Sequence, residues 1–168
     1  MLIRPAAPQD VPEILSLIRE LAAYERAPLA VRATEADLLR DGFGPSPRFY
    51  ALMALVEGEM AGMALYFYNW STWEGQPGIH LEDLFVRPVF RGRGIGRALL
   101  EAVAAVAVEN GCGRLQWDVL EWNTPAIGFY QRLGAEFLDQ WRIMRVNDEA
   151  LRLLASPATL GCRSTSWP

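Results

Sequence analysis

Two neighbouring acids, Glu82 and Asp83, stand in an otherwise apolar run from Gly78 to Val86. A carboxylate on so apolar a strand needs a reason, because removing a charge from water is costly without a partner. One reason is a salt bridge. The other is chemistry, since a partly desolvated glutamate can take a proton, directly or through a water. Shortly after comes Arg91-Gly92-Arg93-Gly94-Ile95-Gly96, followed by Arg97. Glycine lets the backbone approach a ligand closely, and the first N–H groups of a helix have no partners of their own. A glycine loop that opens a helix is therefore an anion cradle, to which arginine adds fixed positive charge. The guest that fits is a pyrophosphate. His80 is the chain's only histidine. No partner for it is evident from the sequence, and it reads as structural.

Three glycine-loop patterns compete for this stretch. A phosphate loop ending in Gly-Lys-Ser/Thr is excluded, because every basic side chain is arginine and there is no lysine. A dinucleotide fingerprint needs G-x-G-x-x-G and an acid about 20 residues further on. Here the spacing is G-x-G-x-G, which does not fit. The third pattern, Q/R-x-x-G-x-G/A after an apolar strand, is met at every position. It resembles the coenzyme A loop of the GNAT superfamily of N-acetyltransferases. A second stretch, from Asn123 through Ala126, Phe129 and Tyr130 to Gly134, resembles the other hallmark of that superfamily, N-x-x-A/S-x-x-F-Y-x-x-x-G. More narrowly, L-E-D-x-F-V, R-G-x-G-I-G, E-W-N-x-P and F-Y-x-R-x-G-A resemble the diamine (spermidine/spermine and thialysine) N-acetyltransferases. Ile3-Arg4-Pro5-Ala6, Glu20-Leu21-Ala22, Tyr24-Glu25 and Asp37 to Gly44 extend the likeness to roughly residues 2–150.

The resemblance implies an α/β fold with a mixed, strongly twisted central sheet and helices on both faces. It implies transfer of an acetyl group from acetyl-CoA to a primary amine by direct attack, with no acyl-enzyme and no metal. Acetyl-CoA is expected at the main chain of Leu84, Phe85 and Val86, along Arg91, Gly92, Arg93, Gly94, Ile95, Gly96 and Arg97, and at Asn123, Thr124, Pro125 and Ala126. An amine acceptor arrives as an ammonium ion with a pKa near 10 and must be deprotonated before it attacks. Glu82 is the implied base and Asp83 its neighbour at the substrate. The segment matching Tyr24 and Glu25 lines the acceptor site in relatives. Tyr130 is the implied acid for the departing thiol and also contacts the coenzyme. Cys112 lies away from the inferred site. One departure stands out. Relatives carry an acidic pair before the final Trp-Arg, whereas here Leu138-Asp139-Gln140-Trp141-Arg142 is shorter and holds a single acid. Asp139 is the remaining substrate-binding candidate, and the shortening favours an acceptor smaller than spermidine. Two other classes stay open, a protein or peptide acetyltransferase and a non-catalytic acyl-CoA sensor.

The elements that must position these groups follow from periodicity and punctuation. Met1 to Pro5 reads as a strand. Asp10 is placed to cap a helix, with Pro12 in its first turn and Glu13 at the capping-box position. Ile14, Leu17, Ile18 and Leu21 form its apolar face, and it ends near Tyr24. Thr34 and Asp37 form a second capping signature, opening a short helix to Arg40. Arg48–Val56 and Met60–Trp70 are strands around the Glu57-Gly58-Glu59 turn. Along Gly78–Val86, period-2 alternation sets Leu81, Asp83 and Phe85 on one face and Glu82, Leu84 and Val86 on the other. A buried helix runs from Gly96 to Asn110 and stops at Gly111. Arg114–Leu120 is the next strand, Ala126–Leu133 a helix, Trp141–Val146 the last strand and Asp148–Leu154 a terminal helix.

The length of 168 residues fits one domain, expected over residues 1–155, with 156–168 a loose tail. The net charge of −4 gives a nucleic-acid partner no electrostatic support. No apolar run reaches the ~18 residues that span a bilayer, and no signal peptide is evident. Two cysteines, Cys112 and Cys162, have no disulfide or metal spacing, so a reducing, cytoplasmic setting is expected. A homodimer is expected from the resemblance alone.

Overall fold

A computed structural model describes residues 1–156. The elements are β1 (Leu2–Pro5), α1 (Val11–Tyr24), α2 (Glu35–Phe43), β2 (Tyr50–Val56), β3 (Glu59–Ser71), β4 (Gln76–Val86), α3 (Ile95–Glu109), β5 (Leu115–Gln116), α4 (Thr124–Gln131) and α5 (Asp148–Leu154). They fall into two compact units, Met1–Val119 and the part from Leu120 onward. Beyond Ser156, the expected loose tail and Cys162 lie outside the described residues.

The first unit is a mixed five-stranded sheet in the order β1-β2-β3-β4-β5, antiparallel except for the parallel β4–β5 pair. The tight β2–β3 turn works because Glu57 and Gly58 both take the left-handed conformation that a two-residue hairpin loop demands. On one sheet face, Val11, Ile14, Leu15 and Leu17 of α1 and Leu38 of α2 pack with Ala51, Met53, Met63 and Phe85. Each such buried aliphatic side chain contributes about 1.5–3 kcal/mol. Residues pointing the other way, Leu52, Ala54, Ala64, Ile79 and Leu81, are also buried. They owe this to α3, which contacts β2, β3 and β4 and buries Ile95, Leu99, Leu100, Val103 and Ala107. The sheet is thus covered by helices on both faces. Arg87 ties the end of β4 to α1. Its Nη2 lies 2.8 Å from Glu20 Oε1 and 3.0 Å from Glu13 Oε2, and its Nη1 donates to the Met60 carbonyl.

Several expectations need correction. Asp10 sits at the N-cap position of α1 but makes no cap hydrogen bond with its side chain. Its carboxylate accepts instead from both Arg4 guanidinium nitrogens, at 2.6 and 2.8 Å, and from the Ala7 N–H. A bidentate charged pair outcompetes a single cap bond. Thr34 and Asp37 do form the reciprocal capping box. Helix α2 continues past Arg40 to Phe43, because Gly42, lacking a Cβ, lets the Phe49 ring lie where a side chain would be. β5 is only two residues long, shorter than Arg114–Leu120. No strand is present at Trp141–Val146 among the described residues. Alternation of side chains selects a face, but a strand also needs a neighbour for its backbone groups.

The largest correction concerns β4. Its pairing with β3 shifts between Leu65 and Tyr66: Leu65 aligns with Asp83, but Tyr66 aligns with Leu81, leaving Glu82 as the extra residue. A bulge flips the in–out phase of a strand. Phe67 aligns with His80 and Leu65 with Asp83, so His80, Asp83 and Phe85 share the α1 face while Leu81 faces α3. Leu81 and Asp83 are therefore on opposite faces, contrary to plain alternation.

Candidate active site

The bulge is the local feature that concentrates chemistry. It turns two consecutive acids toward one side of the sheet. Asp83 aligns on the α1 face, and the Glu82 carboxylate reaches the same side, with Oε2 3.6 Å from His80 Nε2. Asp83 is half-buried by area but deeply set. Its carboxyl is pushed up to about 7, first by burial and then by the negative charges of Glu82 and Glu25. Glu25, the residue that ends α1, has its own carboxyl pushed up by burial. Three carboxylates from two elements thus converge, and Asp83 is left partly protonated near neutrality.

Tyr24 lies beside this group at the last turn of α1. The Arg91 guanidinium sits 4.8 Å from the Tyr24 ring centroid and 5.6 Å from that of Phe85. Its Nε donates to the Val86 carbonyl at 2.9 Å. Arg91 therefore joins the glycine loop, the end of β4 and Tyr24. Arg93 lies over the Phe90 ring at 5.6 Å, and Arg97 is paired with Glu101 at 2.7 Å. The three arginines, expected to add charge at a pyrophosphate, all have protein partners as well.

The loop itself is open. Gly92 and Gly94 adopt φ of +77° and +78°, and a side chain at either would meet nothing within 4 Å. Left-handed backbone explains glycine at both positions. Gly94 precedes α3, whose first turn presents Ile95, Gly96 and Arg97 backbone N–H groups without helical acceptors. Ile95 buries its side chain while its main chain stays at the helix mouth. This combination suits a pyrophosphate. Among the described residues, β4 has no strand on its second edge beyond His80, because β5 pairs only with Ile79 and His80. The main chain of Leu84, Phe85 and Val86 has β3 on one side only. Apart from the Val86 carbonyl, which Arg91 occupies, that edge fits an extended, amide-bearing arm such as pantetheine.

In the second unit, Asn123 stands at the N-cap of α4 with Thr124 and Pro125 in the first turn, then Ala126. Tyr130 is half-buried on α4, its ring 5.1 Å from that of Phe129. Leu133 and Ala135 N–H groups both donate to its carbonyl, which fixes the helix end. Asp139 is exposed in a turn, where its carbonyl accepts from Arg142.

The feature that the sequence reading passed over is the neighbourhood of His80. Its ring stacks on Phe67, with centroids 5.0 Å apart at 25°. The signal was available: residues 80 and 82 are two apart on a strand and must share a face.

Comparisons with known proteins bear on the family. Residues 12–135 match the acetyltransferase (GNAT) family. A thialysine N-epsilon-acetyltransferase of Bos taurus is 41% identical over 92% of this chain and 97% of its own. An L-ornithine N5-acetyltransferase of Arabidopsis thaliana is 30% identical over 90% of this chain and 86% of its own. Among solved structures, an integron cassette protein from the mobile metagenome of V. cholerae superposes with a TM-score of 0.78 at 25% identity, covering 92% of this chain and 96% of that one.

Proposed function

The chain belongs to the GNAT family of acetyl-CoA-dependent N-acetyltransferases, and from that premise we propose that it acetylates a primary amine of a small cationic acceptor in a ternary complex. The favoured acceptor is an amino acid with a side-chain amine, of the thialysine or ornithine kind, ahead of a longer polyamine. The observation that carries this reading is the convergence of Glu25, Glu82 and Asp83. A cation entering among three carboxylates replaces their mutual repulsion with attraction. The names of the two relatives support an amino-acid acceptor. The single acid before Trp141, in place of a pair, also favours a shorter one.

The coenzyme supplies an activated acetyl group as a thioester. Gly92, Gly94 and the first turn of α3 would hold its pyrophosphate, and the free edge of Leu84–Val86 its amide arm. Asn123 to Ala126 complete the proposed contacts. Glu82 takes a proton from the acceptor ammonium. Asp83, drawn back to its charged form by the bound cation, holds the acceptor together with Glu25 and Tyr24. Tyr130 supplies from its hydroxyl the proton that the leaving sulfur needs, and the second proton that the attacking nitrogen sheds as the amide forms restores the hydroxyl. Asp139 is the remaining candidate for binding the acceptor. The proposal includes a homodimer working in the cytoplasm, the former tested by sedimentation of the purified protein.

Thiol release from acetyl-CoA across a panel of thialysine, ornithine, lysine, putrescine, spermidine and a peptide N-terminus tests the reading. Strongest turnover is expected with an amino acid bearing a side-chain amine. Tyr130→Phe should lower kcat by about 10²–10³, within the range for lost acid–base catalysis. Tight acetyl-CoA binding without turnover on any small amine would overturn the proposal and point to a protein acceptor or a sensor.

A further inference from the structure

We propose that His80 is the proton relay of the acceptor site, accepting through Nε2 the proton that Glu82 takes from the amine and passing it to solvent. The inference rests on the reading of Glu82 as the base and goes beyond it by naming where the proton goes next.

Acetylation of an ammonium releases a proton that the site must dispose of before the next turnover. The acceptor N–H bond breaks as an O–H bond forms on Glu82. That O–H bond breaks as an N–H bond forms on His80 Nε2, and the imidazolium then loses a proton to water. No oxidant, reductant or further reactant is needed. Imidazole is in general a stronger base than a carboxylate, which is the chemistry a relay beyond a carboxyl requires.

Geometry supports each part of this path. His80 and Glu82 share a face, and their nearest nitrogen and oxygen are 3.6 Å apart, which a small side-chain rotation closes to a hydrogen bond. The imidazole is held flat against Phe67, which restricts its orientation. The His80 side chain is 17% exposed and that of Glu82 56%, so the ring is buried enough to be fixed and still touches water. His80 also marks the fork in the sheet: it is the last β4 residue paired with β5, and the next residues border the free edge proposed for the coenzyme. The charged groups around the ring are Glu82 on its own strand, Asp83 one residue further on and Glu25 beside Asp83. Its aligned neighbours Phe67 on β3 and Gln116 on β5 carry no charge. Asp83 is an unsuitable alternative relay because it is already partly protonated near pH 7 and set deep.

The test compares two substitutions in the full-length enzyme. His80→Phe keeps a ring on Phe67 and removes both nitrogens. His80→Gln keeps a hydrogen-bonding group near Glu82 and removes titration. Melting temperature, acetyl-CoA affinity and acceptor KM are expected to change less than twofold or by about 2 °C in both. The kcat of each should fall about 10- to 100-fold, with a raised solvent isotope effect and partial rescue of His80→Phe by added imidazole. Full activity in His80→Gln would mean that the ring only steadies Glu82 and would overturn the relay. Full activity in His80→Phe would overturn any role. Glu82→Gln is run in parallel: if it retains activity, the reading of Glu82 as base fails instead. In the Glu82→Gln background, His80→Phe should add little further loss, as expected of two groups acting in series.

Discussion

Two aspartates in the same unit meet opposite fates. Asp10 is 7% exposed, yet its carboxyl lies below the usual range because the Arg4 guanidinium holds it through two charged hydrogen bonds, aided by the Ala7 N–H. Asp83 is also enclosed, but its carboxyl is pushed up to about 7, and the nearest charges, Glu82 and Glu25, carry its own sign. The first carboxylate has its partner in the protein. The second is arranged as though its partner comes from outside. Burial alone therefore does not mark an acid as functional; the sign of the charges that surround it does.

The contrast can be broken most sharply at Glu82, beside Asp83. Glu82→Gln is expected to lower kcat/KM by at least about 10²-fold while the melting temperature moves by no more than about 1 °C. Steady-state kinetics and calorimetry on one preparation check both halves. A large loss of stability would place Glu82 with Asp10 as a structural acid.

Arg4→Met reverses the pattern. It strands the Asp10 carboxylate without its cation, with an expected cost of about 2–3 kcal/mol. That is less than the 3–5 kcal/mol for a fully buried pair, since a third of Arg4 is exposed. The turnover of the remaining folded enzyme should be unchanged. Because the folded Asp10 value is lowered, the stabilisation from this pair is present above about pH 4 and is lost as pH falls through the folded value. Urea denaturation at pH 7 and at acid pH follows it.

For Asp83 the sign is opposite. Its folded value lies above that of the unfolded chain, so the folded state holds the proton more tightly. The cost of the charged form is absent below about pH 4, grows through the interval and is complete above about pH 7. Asp83→Asn should therefore stabilise the protein at pH 8 and not at pH 3.5. The ceiling is roughly 4 kcal/mol from about three pH units, and about half of that once the remaining solvent access to the carboxyl is allowed for. The same substitution should raise acceptor KM, and in the native enzyme acceptor binding should tighten as pH rises through about 7. An unchanged melting temperature at pH 8 would erase the distinction between the two aspartates.

The smallest effect concerns a feature remote from both. Thr34→Ala removes the hydroxyl that accepts from the Asp37 N–H and should lower Tm by about 2–4 °C without altering kinetics.

Much of this molecule is legible along the chain, and for a common reason. The Thr34–Asp37 capping box, the Glu57-Gly58 turn and the stop at Gly111 depend on contacts within a few residues or on a backbone angle that one residue type tolerates. So does the opening of α3 behind Gly94. Residue type and spacing determine them before anything else folds. The same holds for the Arg91–Gly96 and Asn123–Gly134 patterns, which carry the family in their order alone.

What tertiary structure decided is where a residue's partner lies far away in sequence. Asp10 has the chemistry of a helix cap, and only the placement of β1 hands it to Arg4. The stretch at Trp141–Val146 has a strand's alternation, but alternation supplies no neighbour for its backbone. Above all, Glu82 is an ordinary member of a period-2 run until β4 pairs with β3 and one residue is left over. That surplus residue reverses the phase of the strand and sets His80, Glu82 and Asp83 on one face. Sequence alone determined that acids stand at the end of an apolar strand before a glycine loop. Register, a property of two strands and not of one, decided which way they point.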